Sequence, residues 1–197
     1  FNCIYKNDSA IFAGSILGLF KTTNAGLNWT KTTVYYSPIF SIISDGQNFA
    51  CGFNNFGVYY SSNGGTNWSQ SSMTSRTVYS LCKNGTTFFA GTLNNGIYSS
   101  SNFGVNWAQT PLNNKTIKSF VVVNNNIFAG TQGSGIYIST NNGSTWSQTG
   151  NSTEDVNAMA ADNGYIYAGT AYHGVYISSN NGANWIQYFN NTKVNSI

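Results

Sequence analysis

Apolar and polar positions along this chain alternate in short runs, and no run lasts beyond a handful of residues. The segment "FAGTLNNGIYSS" (89–100) is typical: a small apolar run, a break rich in Gly and Asn, then an aliphatic residue followed by an aromatic. A period of two marks a strand with one face buried, and Gly/Asn/Ser-rich breaks mark turns. No stretch carries a 3.6-residue apolar period, so essentially no helix is expected. The segment recurs as "FAGTQGSGIYIS" (128–139) and "YAGTAYHGVYIS" (167–178), and more loosely as "FAGSILGLFKT" (12–22) and "ACGFNNFGVYYS" (50–61). Its second glycine (Gly18, Gly57, Gly96, Gly135, Gly174) advances by 39 residues each time, with Phe20, Tyr59, Tyr98, Tyr137 and Tyr176 two places later.

A second motif keeps the same step. The stretches "TTNAGLNW" (22–29), "SSNGGTNW" (61–68), "SSNFGVNW" (100–107), "STNNGSTW" (139–146) and "SSNNGANW" (178–185) share Ser/Thr-x-Asn-x-Gly-x-(Asn/Thr)-Trp. Asn24, Asn63, Asn102, Asn141 and Asn180 hold the third position, and Gly26, Gly65, Gly104, Gly143 and Gly182 the fifth. Trp29, Trp68, Trp107, Trp146 and Trp185 end the motif, 39 residues apart without deviation. Short polar side chains bond nearby backbone, and glycine accepts positive φ, so this run is a hairpin turn. The tryptophan after it opens a strand and is expected to be buried against a neighbouring unit. A further strand reads aliphatic-x-Ser-apolar: Ile39 to Ile42, Val78 to Leu81, Ile117 to Phe120 and, with alanine for serine, Val156 to Met159.

Each unit thus holds four short strands, A to D, joined by polar turns. Four antiparallel strands per 40-odd residues describe a propeller blade. The expected fold is all-β, a β-propeller of five four-stranded antiparallel blades forming one domain over 1–197. The blades fall at about 1–37, 38–76, 77–115, 116–154 and 155–193, with 194–197 the start of a further strand A. "FNCI" (1–4) and "VNSI" (194–197) both align with strand A. Two arrangements fit: five blades closed into a ring, which this reading favours, or a segment of a larger propeller.

The turn motif resembles the Asp-box, or BNR repeat, of sialidases, sortilin-type propellers and photosystem II assembly-factor propellers. All five units carry it, so the resemblance covers nearly the whole chain, and it implies that the motif lies on the C–D hairpin. The family's central Asp is Asn in every copy here. Asn still accepts backbone hydrogen bonds, but the change removes a charge from five turns and argues against metal there. The sialidase resemblance also implies three arginines that clamp a carboxylate, whereas this chain has one, Arg76.

Other catalytic groups are sparse. The acids are Asp8, Asp45, Glu154, Asp155 and Asp162. Three fall near A–B turns, and Glu154 and Asp155 are adjacent, unlike the facing carboxylates that glycoside hydrolysis uses. His173 is the single histidine and has no Cys or His nearby in sequence. No catalytic residue, metal ligand or cofactor is expected, and the chain reads as a non-enzyme. Charged residues make up 7% and the net charge is +3, with no Lys/Arg run, so nucleic acid is not an expected partner. No apolar stretch approaches the roughly 20 residues that cross a bilayer, and no signal peptide is visible. Cys3, Cys51 and Cys82 read as buried free thiols at different repeat positions.

In a surface rich in Asn, Ser, Thr and Gly, the repeats differ most at the B–C and D–A loops. Aromatic faces among amides there suit a pyranose, which stacks on a ring while its hydroxyls bond the amides. The candidate ligand residues are Tyr35, Tyr36, Phe53, Asn55, Phe56, Arg76, Asn94, Gln132, Tyr172 and His173. The expected function is a recognition or adhesion module of a secreted or cell-surface protein, with carbohydrate or a protein as partner. The alternative is a repeat scaffold or spacer within a larger polypeptide or filament.

Overall fold

The computed structural model describes residues 1–34, 37–149 and 154–197. Sheet 1 holds β1 (Cys3–Lys6), β2 (Ile11–Ser15), β3 (Gly18–Thr22) and β4 (Thr30–Lys31). Sheet 2 holds β5 (Ile39–Asp45), β6 (Asn48–Phe53), β7 (Val58–Ser61) and β8 (Ser69–Gln70). Sheet 3 holds β9 (Val78–Asn84), β10 (Thr87–Thr92), β11 (Ile97–Ser100) and β12 (Ala108–Gln109). Sheet 4 holds β13 (Ile117–Val123), β14 (Asn126–Thr131), β15 (Ile136–Ser139) and β16 (Ser147–Thr149). Sheet 5 holds β17 (Val156–Asp162), β18 (Tyr165–Thr170), β19 (Val175–Ser178) and β20 (Ile186–Tyr188). Each is a four-stranded antiparallel meander in chain order, and the described residues contain no helix.

The turn between the third and fourth strand is built the same way in every sheet. In sheet 3 the Ser100 hydroxyl donates to Asn102 Oδ1 (3.0 Å) and accepts from the Gly104 amide (2.9 Å). Asn102 Oδ1 also accepts from the Asn106 amide (2.9 Å). Ser61–Asn63–Gly65 and Ser178–Asn180–Gly182 repeat this set. Asn works in place of Asp because the turn bonds need only its acceptor oxygen; in sheet 4 Asn141 Nδ2 also donates to the Thr145 hydroxyl (2.8 Å). The hydroxyl is buried (Ser100 2%), so its removal strands an amide. Ser100→Ala is expected to cost about 1–3 kcal/mol. An unchanged urea midpoint for that variant would show that the turn holds without the hydroxyl.

Alternation on each strand sends side chains to the two faces of a sheet, and consecutive sheets pack face to face. Between sheets 1 and 2 lie Phe12, Leu19, Ile42 and Phe49, with Trp68 packed against them. Phe89, Ile97, Ile117, Ile127 and Trp146 fill the space between sheets 3 and 4. The turn glycine fits against the preceding sheet: a Cβ at Gly65 would meet the Phe12 ring, one at Gly143 the Phe89 ring, and one at Gly182 the Phe128 ring. The indoles of Trp68, Trp107 and Trp185 donate to the carbonyls of Gly65, Gly104 and Gly182 at 2.9–3.1 Å. These rings are half-buried rims of the interface rather than its centre, which phenylalanines hold.

The favoured five-bladed ring is not what forms. Among the described residues sheet 1 shares no packed interface with sheet 5, and the five sheets are an open segment of a propeller. The outward face of sheet 1 leaves Ile4 72% and Trp29 42% exposed, whereas Ile42, the counterpart of Ile4 in sheet 2, is 6% exposed. Residues 194–197 do not form a strand. They nevertheless lie where a sixth first strand would begin. Val194 covers Gly169 as Val156 covers Gly130 and Val78 covers Gly52.

The cysteines are free. Cys3 pairs with Gly14 as Ser41 pairs with Gly52, so it stands at the serine position of the first strand. Burial raises the Cys3 thiol to about 11 and also raises those of Cys51 and Cys82, keeping all three neutral.

Candidate binding site at the channel mouth

The first strand of each sheet is innermost, and in sheets 2 to 5 its start carries a register slip. Ile39 pairs with Phe53 and Ser41 with Gly52, which leaves Phe40 without a partner. The same slip isolates Tyr79, Lys118 and Asn157. A bulge of this kind re-aims one side chain out of the pleat. Here it turns four equivalent residues into the central channel. They line one cavity of about 370 Å³ together with Gln132 and Asn195. Asn195 belongs to the tail that occupies the sixth position. An adjoining hollow of about 400 Å³ shares Lys118, Gln132, Asn157 and Asn195 and extends to Asp155, Tyr172 and Lys193.

The mouth is two-sided. Sheets 2 and 3 contribute the Phe40 and Tyr79 rings, 5.5 Å apart and inclined by 38°. Sheets 4 and 5 contribute amides and ammonium groups. Lys118 Nζ donates to Asn157 Oδ1 (3.3 Å), and Asn157 Nδ2 donates to the Val194 carbonyl (3.1 Å). Beside the mouth His173 Nδ1 lies 2.8 Å from Glu154 Oε2. Tyr176 is raised above its ordinary value by desolvation and, secondarily, by the Glu154 charge.

Of the residues singled out in the sequence, Gln132 and Tyr172 reach this mouth, and His173 stands next to it, tied to Glu154. Phe53 does not: it is fully buried, its ring 4.9 Å from Tyr59, because it ends a strand rather than opening a loop. Phe56 packs against the core between sheets 1 and 2. Asn55 is held by Thr77, whose hydroxyl donates to Asn55 Oδ1 (2.9 Å), and Asn94 by Thr116 in the same way (2.9 Å). These pairs lock neighbouring loops together. Arg76 lies over the Tyr98 ring at 5.1 Å, donates to its hydroxyl (3.1 Å) and so braces a loop. Tyr35 and Tyr36 lie outside the described residues.

Sequence reading missed Phe40, Tyr79, Lys118 and Asn157. Their signal was the "x" of aliphatic-x-Ser, which is aromatic in two repeats, lysine in one and asparagine in one. A second hollow of about 400 Å³ lies among Lys21, Thr23, Asn28, Lys31 and Thr33 near the outer edge of sheet 1. It presents no aromatic face. Among the described residues no group of three His, Cys, Asp or Glu is placed to hold a metal ion.

No protein-family model matches this chain, and no curated protein matches it. Solved structures do. The chain resembles an ancestral GH74 enzyme with a TM-score of 0.78 and 18% identity, over 96% of this chain and 32% of the other. It resembles the extracellular domain of BT4673 from B. thetaiotaomicron with a TM-score of 0.80 and 16% identity, over 99% and 29%. It resembles YCF48 bound to D1 peptide with a TM-score of 0.70 and 15% identity, over 93% and 66%. The chain spans only about a third of the first two proteins and two thirds of the third. At such identities the likeness establishes the architecture, and with the five radial sheets it makes this chain a segment of a β-propeller.

Proposed function

We propose that the chain is a non-catalytic recognition or adhesion module of a secreted or cell-surface protein, and that it binds carbohydrate at the channel mouth. One observation carries this reading: the Phe40–Tyr79 ring pair faces the amides of Gln132, Asn157 and Asn195 across a single cavity. A pyranose has one apolar face and a rim of hydroxyls, which matches that division. Two of the five carboxylates are engaged in ion pairs. Asp45 is engaged by Lys83 (2.9 Å), and Glu154 by His173. The extracellular placement of the BT4673 domain supports a surface location. The hydroxyl–Asn–Gly geometry of the turns supports membership of the Asp-box family. Nucleic acid and membrane insertion are not part of this reading.

Glycan-array screening followed by titration tests it. Tyr79→Ala is expected to weaken binding about tenfold, the equivalent of ~1.4 kcal/mol, with an unaltered melting curve. Gln132→Ala should weaken it as well. Absence of binding to every polymer tested, or turnover of any of them, would overturn the proposal.

A further inference from the structure

Charge is divided unevenly between the two faces of the arc. The B–C loops and the D–A segments form the face that carries the channel mouth. Arg76, Lys115, Lys118 and Lys193 stand there against two carboxylates, Glu154 and Asp155. The opposite face, around the A–B turns, holds Lys6 and Lys83 against Asp8, Asp45 and Asp162. Lys21 and Lys31 lie on the outer strands of sheet 1, between the faces. Ion pairing sharpens the division. Glu154 is taken by His173 and Lys83 by Asp45, whereas among the described residues no carboxylate pairs with Lys115 or Lys118. The mouth face is therefore cationic and the opposite face slightly acidic.

The cations nearest the cavity are fixed in place. The Gly57 and Gly96 amides donate to the carbonyls of Arg76 and Lys115, both at 2.8 Å, and so anchor each D–A segment to a B–C loop. Lys115 Nζ donates to the Ser134 hydroxyl (3.1 Å) and Lys118 Nζ to Asn157 Oδ1 (3.3 Å), so neutral oxygens hold both ammonium groups. Both side chains are half-buried. Each ammonium has three donors, and one that is partly withdrawn from water gains more from an anion than from an amide or a hydroxyl. Lys118 also holds the channel position next to that of Tyr79, one sheet further on, and the two line the same cavity of about 370 Å³. A sugar ring stacked on Tyr79 thus turns its edge toward an ammonium.

We infer that the mouth takes an acidic polysaccharide, one whose pyranose rings carry carboxylate or sulfate groups. This rests on the carbohydrate reading above and adds the charge of the ligand. Lys118 holds the anionic group of the ring that stacks on Tyr79, while Lys115 and Arg76 draw flanking anionic units toward the mouth. Asp155 and Lys193 line the adjoining hollow together, so their charges offset one another and the uncompensated charge stays on the Lys118 side. Charge complementarity alone also suits an anionic bilayer. The glycan is favoured because the amides of Gln132 and Asn157 line the cavity with Lys118, where a hydroxylated ring reaches them and a flat plane of headgroups does not.

Titration of the 197-residue chain with glycan pairs that differ only in charge tests this. Polygalacturonate against its methyl ester reads the carboxylate, and a sulfated galactan against its desulfated form reads the sulfate. The charged member of at least one pair should bind about tenfold more tightly, the scale of one charge-assisted hydrogen bond. Raising sodium chloride from about 0.05 to about 0.5 M should shrink that preference, because salt screens the charges. Lys118→Gln should remove most of the preference with near-UV circular dichroism unchanged, whereas Tyr79→Ala should weaken both members of a pair alike. Lys6→Gln, on the opposite face, should leave binding as it is. Equal affinity within both pairs overturns the charge assignment and leaves the carbohydrate reading standing. A preference that persists in the Lys115→Gln, Lys118→Gln double variant overturns the assignment too. No binding to any glycan overturns both, as does tighter binding to phosphatidylserine-containing vesicles than to every glycan tested.

Discussion

Gly96→Ala is expected to lower the melting temperature by about 10 °C or to prevent folding. Gly96 has φ +69°, and a Cβ there would run into the carbonyl of Leu112 and the Cα of Asn113. The crossing cannot relax cheaply, because the Gly96 amide donates to the Lys115 carbonyl (2.8 Å) and the Ile97 amide to that of Leu112 (2.9 Å). Thr92 holds the Gly96 carbonyl from the other side (2.7 Å). Left-handed backbone costs a residue with a side chain about 1–2 kcal/mol, and overpacking against fixed atoms adds about 1–3 kcal/mol. For a chain of this length each kcal/mol lowers the midpoint by about 2–4 °C. Gly85→Ala is the control: φ is +57°, nothing lies within 4 Å, and only the backbone cost remains. Equal thermal midpoints for the two variants would show that the crossing under Gly96 gives way, contrary to this account.

Phe89→Ala is expected to cost about 3–5 kcal/mol, as for other fully buried aromatics. The ring is 0% exposed between sheets 3 and 4 and rests against the backbone of Gly143. Its neighbours Ile97, Ile117 and Ile127 sit on strands of both sheets, so they cannot close the gap without moving one sheet against the other. In this 197-residue chain Tyr167→Ala removes the equivalent side chain from sheet 5, where no sixth sheet covers it among the described residues, and should cost well under half as much. Urea unfolding of both variants measures the contrast. Equal losses would mean that burial between sheets is not the main source of stability.

Much of this was legible in the residues. The 39-residue step fixed the number of sheets because every repeat meets the same packing problem and solves it with the same turn, whose hydroxyl, amide and glycine are recognisable one by one. The tryptophans were read as interface anchors, yet four are half-buried and Trp29 is 42% exposed. The deep positions belong to Phe12, Phe49, Phe88, Phe89 and Phe128, which the spacing did not single out because alanine or isoleucine stands in for them in other repeats. The candidate site was read only in part. Loop variety pointed to Gln132 and Tyr172, but it also pointed to Phe53, Asn55, Asn94 and Arg76, which bury a ring or tie loops together. Phe40, Tyr79, Lys118 and Asn157 sit in strands, and nothing local says that a register slip turns them into a channel.

What the sequence by itself determined is whatever depends on near neighbours along the chain: strand alternation, the five turns, and the order of strands within each sheet. Only the tertiary structure decided what depends on a neighbour in space. Ile4 and Ile42 occupy one position of one motif, yet one is exposed and the other buried, because among the described residues a sheet packs on the second and none packs on the first. Burial, and with it the apolar stabilisation a side chain supplies, belongs to the surface laid against a residue rather than to the residue itself.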